Sequence, residues 1–373
     1  MVLSVFRLSL ILNNKCNLKC SYCFQHDEFR HDITLSDDNI VKVCEFVRKY
    51  GNVKDKKLEL TIIGGEPSLY SKFDTLYEIL YNELVMHGFT FSIVRVFTNG
   101  IVVNREMIEF MLKIKHHSSI LNIYITKNLI SDLPDRFCDN LNSKIDETTS
   151  MYRSYGLSVY HQYVFTKTNV DKYREILDHA LIDNDVKIEF GYPCVDDLDD
   201  RDFHHMIITF LDFIQTRDDI SYDFVERVGM IIPSDSSDYV RDKDVMCDPI
   251  KGELSISPLG YIIPCVKCLD IESEFNEYHV DAICANPDKL NDDNIQRWIS
   301  YEDVNESGYK CNECPMKHYC NPCRLLLDII DRKHSNIKHS NHKCQREIGF
   351  AYLKYKIFSE YIKNGGKNVW LEK

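Results

Sequence analysis

The sequence lacks three features that would each point to a particular class of protein. It contains no uncharged apolar run near the roughly 18 residues that a membrane span requires. It has no excess of positive charge, because its formal net charge is −13, and this disfavours nonspecific binding to nucleic acid. It has no convincing secretory signal, because its apolar start is short and carries Arg7. We therefore expect a cytoplasmic protein with neither membrane nor nucleic acid as a partner.

Cysteine, by contrast, is abundant. The 373 residues include 15 cysteines, an odd number that argues against a pure disulfide framework. In a reducing cytosol such clusters serve as metal ligands more often than as disulfides. Hydrophobic residues make up 44% and charged residues 28%, which is typical of a globular protein with a sizeable core. The composition predicts globular domains that bind metal.

Apolar, β-rich runs alternate with amphipathic helical patterns over the first half of the chain. The predicted strands are FRLSLIL (6–12), LELTII (58–63), FSIVRVF (91–97), ILNIYIT (120–126), LSVYHQYVF (157–165) and VKIEFGY (186–192). Helices are predicted between them, the first with Ser36 as its N-cap. Six β–α units in a row predict a parallel sheet with helices outside, in an open or closed barrel. In that architecture the loops after the strands build the active site.

Three cysteines lie close together directly after the first predicted strand. The stretch CNLKCSYCF spaces Cys16, Cys20 and Cys23 as C-x3-C-x2-C, with Tyr22 before the last. A structural zinc site needs a fourth ligand nearby, yet the next cysteine, Cys44, stands alone in a predicted helix. Three ligands without a fourth indicate a metal centre with one open position. A partial zinc site is the alternative.

This loop resembles the cysteine motif of the radical S-adenosylmethionine (SAM) superfamily. The resemblance implies that its three cysteines bind a [4Fe–4S] cluster and that the remaining iron binds SAM. The tetrapeptide after the second strand, Gly64-Gly65-Glu66-Pro67, resembles the second motif of the family. Glycines there let the backbone approach a ligand, and Glu66 is expected to accept hydrogen bonds from the methionine ammonium group of SAM.

Further SAM-binding positions follow from the same resemblance. Thr98 and Asn99, in FTNG, resemble a polar segment that faces the cofactor, with an ordinary turn as the alternative. Where relatives carry a Ser-x-Asp segment that holds ribose, the sequence reads YITKN and offers Thr126 or Asn128. Arg136, in LPDRF, occupies the place of an arginine that pairs with the methionine carboxylate, with a surface arginine as the alternative.

Seven later cysteines resemble the SPASM extension of that superfamily. By this resemblance, one auxiliary [4Fe–4S] cluster has as its ligands Cys311, Cys314, Cys320 and Cys344. A second auxiliary cluster has as its ligands Cys247, Cys265 and Cys323. The pattern departs from the family before Cys323, where two residues stand instead of the usual three. Paired zinc ribbons are the alternative for the whole block.

The fourth ligand of the second auxiliary cluster is left open by the sequence. Relatives often supply it from a position that Arg241 occupies in this chain. Either Cys194, in GYPC, or Cys268, in CVKC, takes that role, or the iron stays open and binds substrate.

These patterns predict an α/β fold, a partial (β/α)6 radical SAM barrel with a small cysteine-rich domain. The expected boundaries are a barrel at 1–195, a helix and connecting segment at 196–246, a SPASM domain at 247–345 and a C-terminal helix at 346–373.

The resemblance implies an oxidoreductase that cleaves SAM to a 5′-deoxyadenosyl radical and abstracts hydrogen from a peptide. The leading product is a thioether or carbon–carbon crosslink in a ribosomally made peptide. Formylglycine formation is disfavoured, because sulfatase-maturing relatives carry aspartate where Val266 stands. A small-molecule oxidoreductase and a non-catalytic, zinc-stabilised interaction protein are the alternatives.

The partners expected of such an enzyme follow from its chemistry. They are a peptide or protein substrate and a reductant such as flavodoxin or ferredoxin. Because the chain starts at the first strand, peptide recognition is expected from another protein or from the barrel itself.

Overall fold

A computed structural model describes most of the first half of the chain and part of the second. The described residues are 7–18, 20, 23, 32–50, 53–126, 139–165, 170–182, 185–190, 200–217, 219–220, 224, 253–263, 266, 269 and 275–291. They fall into two compact units. The first unit takes the described residues within 1–127, 138–160 and 247–300, and the second takes those within 161–246. The domain boundaries expected from the sequence remain a prediction.

Strands and helices alternate along the described residues. The elements are β1 (Arg7–Ile11), α1 (Asp37–Tyr50), β2 (Lys57–Ile63), α2 (Phe73–Glu83), β3 (Thr90–Thr98), α3 (Arg105–Lys115), β4 (Ser118–Thr126), α4 (Asp139–Ser154), β5 (Ser158–Phe165), α5 (Tyr173–Ile182), β6 (Val186–Phe190), α6 (Asp200–Gln215), β7 (Glu253–Ile256), β8 (Ile262–Ile263) and α7 (Val280–Ala285). The predicted succession of six β–α units is confirmed. So is the predicted cap of α1, since Ser36 Oγ accepts a hydrogen bond from Asn39 N at 3.2 Å. The predicted C-terminal helix lies outside the described residues.

The first unit is built on one mainly parallel sheet. Its strand order is β4-β3-β2-β1-β7, and β8 pairs with β7 in the antiparallel sense. In the second unit, residues 161–165 of β5 pair in parallel with β6. The place of β7 beside β1 was not predicted, because ELSI is too short for a clear alternation and its partner lies far away in the sequence. No helix in the described part of the chain has the length and apolar character to cross a bilayer.

The two faces of the first unit's sheet differ in chemistry. Leu8 on β1 and its partner Leu60 on β2 are completely buried. On the opposite face, Ser9 pairs with Thr61, and Thr61 pairs with Arg95 on β3. Because side chains alternate along a strand, one face is mainly apolar while the other carries most of the polar and charged side chains.

A partly buried network of charges joins four strands on the polar face. Arg7 donates hydrogen bonds to Glu59 on β2 at 2.9 Å and to Glu253 on β7 at 3.1 Å. Arg95 donates to the same oxygen of Glu59 at 2.6 Å, and Ser9 Oγ donates to Glu253 at 2.9 Å. Burial raises the pKa of Glu59, but hydrogen bonds and charges from Arg95 and Arg7 outweigh it, so the net pKa lies below its ordinary value. The network helps hold β7 in the sheet.

The lowered pKa of Glu59 predicts a pH dependence of stability. A carboxylate of this kind stabilises the fold above its unfolded pKa, about 4.3, and this contribution is lost as pH falls through the folded value. We expect Glu59→Gln to lower the free energy of unfolding at pH 7 and to reduce its decline below about pH 5. Urea unfolding at a series of pH values measures both effects.

The matched control is Glu109→Gln, because Glu109 forms an i,i+4 ion pair with Arg105, whose side chain is 92% exposed. It should keep the parent profile. A Glu59→Gln profile parallel to that of the parent would contradict the proposed role of the network.

Candidate functional site

The three predicted cluster ligands lie on the loop that follows β1. Cys20 is buried, with 9% exposed, and Cys16 and Cys23 are half-buried; none of the three forms a disulfide. A turn brings the last two together, since Cys23 N donates to Cys20 O at 3.0 Å. The N–H of Leu18 donates to Cys16 Sγ at 3.4 Å. Tyr22 lies outside the described residues.

The two glycines of GGEP pack against the backbone of this loop. Gly65 N donates to Asn13 O, and Glu66 N donates to Lys15 O, both at 2.8 Å. A Cβ atom on Gly65 would lie 2.3 Å from Lys15 O, and one on Gly64 would lie 2.9 Å from Asn13 O. No side chain fits at such distances, so glycine is required here. The sequence suggested close approach to a ligand, and the close neighbour in the structure is the cysteine loop.

The Glu66 carboxylate is buried and joins the ends of two strands. Only 1% of the residue is exposed. Its Oε1 accepts hydrogen bonds from Ser68 N at 2.9 Å and from Thr98 Oγ1 at 2.6 Å, and its Oε2 accepts one from Asn99 N at 2.6 Å. Asn13 Nδ2 donates to the carbonyl oxygen of Glu66 at 3.1 Å. One carboxylate thus holds the segment after β2 against the end of β3.

Pro67 fits this arrangement through its backbone. It opens a short 3₁₀ helix, Pro67–Leu69, which Glu66 caps. Proline suits a first helical position, because the missing N–H would have no helical partner there.

The Asn99 side chain extends from the end of β3 to the cysteine loop. Its Nδ2 donates to Asn17 Oδ1 at 2.7 Å and lies 4.0 Å from Cys16 Sγ, within hydrogen-bonding range of sulfur. Thr98 and Asn99 are both 5% exposed. The structure therefore places Thr98 and Asn99 beside Glu66, and Asn99 also beside the cysteine loop.

Aromatic rings form a row on the polar face of the sheet, and two of them, Phe97 and Tyr124, lie near the ends of β3 and β4. Phe97 and Tyr124 stack with centroids 4.9 Å apart, and Tyr124 and Tyr160 stack at 5.5 Å. Thr126, the last residue of β4, is two residues beyond Tyr124 and therefore points to the same side. Phe97 and Tyr160 are each partly exposed, so the row offers an apolar surface beside the candidate site.

The sequence analysis missed three residues around this site. Asn13 and Asn14 each have a buried side-chain oxygen without a hydrogen-bond partner among the described residues, as does the hydroxyl of Tyr152 on α4. Burial, and secondly the charge of Glu66, raise the pKa of Tyr152, so its phenol stays neutral. The run NNKCN, with amides on both sides of Cys16, was a signal for the asparagines. The sequence pattern of α4 carried no signal that would have indicated Tyr152.

Other predicted site residues lie outside the described residues. They are Asn128, Arg136, Cys194, Cys247, Cys265, Cys268, Cys311, Cys314, Cys320, Cys323 and Cys344. Within the described part of the chain, no group of three or more His, Cys, Asp or Glu side chains is already arranged to hold a metal ion. The chemistry of the cysteine loop nevertheless fits an iron–sulfur cluster, because its donors are thiols and N–H groups already point at Cys16 Sγ.

A family model matches just under half of the chain. Residues 10–180 match the model of the radical SAM superfamily. This part of the chain is similar to the radical SAM domain. The matched residues include the cysteine loop, GGEP and FTNG, which carried the resemblance in the sequence, and that resemblance is confirmed.

Characterised relatives share this domain at low identity. The radical SAM cyclopropyl synthase TigE of Paramaledivibacter caminithermalis is 21% identical over 357 residues, which cover 88% of this chain and 69% of that protein. The GTP 3′,8-cyclase of Staphylococcus saprophyticus is 24% identical over 259 residues, which cover 68% of this chain and 63% of the cyclase. This chain thus spans under two thirds of the cyclase.

Solved structures share the fold over most of the chain. The structure of native anSMEcpe with bound AdoMet aligns with a TM-score of 0.67 at 14% identity, covering 96% of this chain and 100% of that one. Streptococcus suis SuiB bound to its precursor peptide SuiA aligns with a TM-score of 0.54 at 17% identity, covering 86% and 72%. These alignments confirm the predicted radical SAM fold.

The contacts of Glu66 predict a structural role that is separable from any ligand. In Glu66→Gln, one carboxylate oxygen becomes an NH₂ group that faces an N–H or O–H donor. We expect the variant to lose about 2–4 kcal/mol of stability, the order of one or two hydrogen bonds to a charged group. Thr98→Val removes a single donor and should cost about 1–2 kcal/mol. Urea unfolding without SAM or iron makes the comparison. If Glu66→Gln unfolds at the urea midpoint of the parent, the carboxylate does not join the strands.

Proposed function

We propose that the chain is a radical SAM enzyme with a SPASM extension that modifies a peptide. One observation carries the proposal: the C-x3-C-x2-C loop is paired by its backbone with GGEP, whose buried glutamate binds the end of β3. Three thiols are thus held at the ends of parallel strands, where this class of fold builds its active sites.

Some residues of the site are assigned to bind an iron–sulfur cluster, and others are assigned to bind SAM. Cys16, Cys20 and Cys23 would ligate a [4Fe–4S] cluster. When bound, the cluster and SAM supply a 5′-deoxyadenosyl radical that abstracts hydrogen from an unactivated carbon of the substrate. Glu66 accepts three hydrogen bonds of the roughly four that a carboxylate can accept. We assign the ammonium group of SAM to its remaining capacity and to the unpartnered Oδ1 of Asn13.

The remaining SAM contacts rest on the resemblance of their motifs. Thr98 and Asn99 would face the cofactor from the end of β3, and Thr126 or Asn128 would hold the ribose. Arg136 would pair with the methionine carboxylate. The seven SPASM cysteines, with Cys194, Cys268 or substrate as the eighth ligand, would hold two auxiliary [4Fe–4S] clusters.

A peptide substrate is supported by the solved structures and by the aromatic row. One alignment partner is native anSMEcpe with AdoMet and the Cp18Cys peptide, with a TM-score of 0.67, and another is SuiB with SuiA. The row of Phe97, Tyr124 and Tyr160 presents rings that can pack on apolar side chains of a peptide. A thioether or carbon–carbon crosslink in a ribosomally made peptide is the proposed product.

The proposal implies further partners and a location. A flavodoxin or ferredoxin would supply the electron for SAM cleavage, in the cytoplasm. Peptide recognition would come from the barrel or from a separate recognition protein.

Small-molecule oxidation is the second candidate. The similarity to a GTP 3′,8-cyclase, which is named for a nucleotide substrate, supports a small-molecule substrate. The same cysteine loop would serve either substrate class.

Iron and sulfide content tests the cluster assignment. We expect about twelve irons in the anaerobically reconstituted parent and about eight in a Cys16/Cys20/Cys23→Ala variant, since each cluster holds four. Only the parent should form 5′-deoxyadenosine from SAM and dithionite. Cys284→Ala is the control, because Cys284 is a half-buried thiol outside every predicted site. Equal iron in parent and triple variant, or zinc in place of iron, would refute the assignment.

The substrate class is tested by competing probes. The reconstituted parent is incubated with SAM and dithionite and with either a library of random 18-residue peptides or GTP. We expect the library to stimulate 5′-deoxyadenosine formation and to yield peptides that have lost two hydrogen atoms, as a crosslink requires. The triple cysteine variant is the control. Stimulation by GTP alone would favour the small-molecule enzyme.

A further inference from the structure

The backbone N–H of Asn99 and both polar groups of its side chain have defined partners. Its backbone N–H donates to Glu66 Oε2 at 2.6 Å, and its Oδ1 accepts from Ile101 N at 3.0 Å. Its Nδ2 donates to Asn17 Oδ1 at 2.7 Å and lies 4.0 Å from Cys16 Sγ. With 5% of the residue exposed, water cannot readily replace these partners. The side-chain amide is therefore held in one orientation, with its Nδ2 at the outer limit of hydrogen-bonding distance from the sulfur.

Among the described residues, two different parts of the chain approach Cys16 Sγ with a hydrogen-bond donor. The Leu18 N–H, at 3.4 Å, belongs to the cysteine loop itself. Its hydrogen bond to the sulfur therefore forms whenever residues 16–18 adopt this local conformation. The Asn99 amide comes from a different strand, 83 residues away. It reaches the sulfur only because Glu66 and Asn17 hold Asn99 in place.

We propose that Asn99 is a positioning residue that raises the reduction potential of the cluster ligated by Cys16. The inference rests on the proposed function, since it concerns the cluster assigned there. Reduction adds one negative charge to the cluster and its thiolates. An N–H donor aimed at a ligating sulfur stabilises that added charge, and hydrogen bonds to cluster sulfurs are an established means of tuning potential.

Two substitutions at the same position separate the donor from charge. Asn99→Leu has a similar size and removes the N–H without adding charge. Asn99→Asp replaces the NH₂ group by a carboxylate oxygen, which repels the reduced cluster. We expect the potential to fall in Asn99→Leu and to fall further in Asn99→Asp. A shift of 59 mV would correspond to a tenfold loss in the ratio of reduced to oxidised cluster at a fixed potential.

Asn104→Asp is the matched control. Asn104 Nδ2 donates to Ser68 O at 2.9 Å and to Tyr70 O at 3.1 Å, so the change removes a donor near GGEP. The Oδ1 that caps α3 is retained, and no cysteine is among its contacts. The potential of this variant should equal that of the parent.

The experiment is an anaerobic redox titration of the reconstituted full chain, followed by electron paramagnetic resonance. The Cys16/Cys20/Cys23→Ala variant supplies the spectrum of the auxiliary clusters, which is subtracted. Iron and sulfide content shows whether each Asn99 variant keeps its cluster. A parent potential retained in a fully loaded Asn99→Leu variant would overturn the inference.

A second variant decides the matter if Asn99→Leu loses iron. Asn17 is exposed, so Asn17→Ala should fold, and it removes the oxygen that orients the amide. We expect a smaller fall in potential, and an unchanged value would overturn the inference. If the parent has the same iron content and spectrum as the triple variant, the cluster assignment itself fails. That result differs from a loaded cluster with an unshifted potential.

Discussion

The candidate site depends on the close pairing of two loop backbones and on one buried carboxylate beside them. Gly64 and Gly65 allow the segment after β2 to lie against the start of the cysteine loop at distances where no Cβ atom fits. Glu66, which follows directly, is 1% exposed and would be costly to bury without partners. Its three donors come from its own turn and from the end of β3, so satisfying this charge requires both to be in place. The position of the thiols is thus tied to the position of the strands.

The division of the sheet into an apolar and a polar face explains where chemistry can take place. The apolar face is completely buried at Leu8 and Leu60, and such burial supplies most of the stabilisation in a domain. The polar face carries the network of Arg7, Glu59 and Arg95 at one end and aromatic rings at the other. The partly buried charges of this face are paired with one another, and the ring of Phe97 lies near the end of β3. The charge network and the aromatic rings therefore lie at opposite ends of the polar face.

Much of the fold could be predicted, because it depends on local patterns. Alternating apolar residues located all six strands of the β–α series, and Ser36 marked the start of α1. The place of β7 could not be predicted, because ELSI is a short strand whose neighbour, β1, is set by long-range pairing and by the contact of Glu253 with Arg7 and Ser9. Nothing in the local sequence of either strand specifies the other.

The sequence by itself determined which residues are the candidates for the site. The spacing of Cys16, Cys20 and Cys23, and the glycines and glutamate of GGEP, are chemical requirements that can be read without coordinates. Only the tertiary structure decided what these residues contact. It showed that Glu66 binds Thr98 and Asn99 and that the glycines face a backbone. It also showed that Asn99 reaches Cys16 from 83 residues away. The physical reason is that residue type sets which bonds a group can form, whereas the packing of the strands sets which partner is within reach.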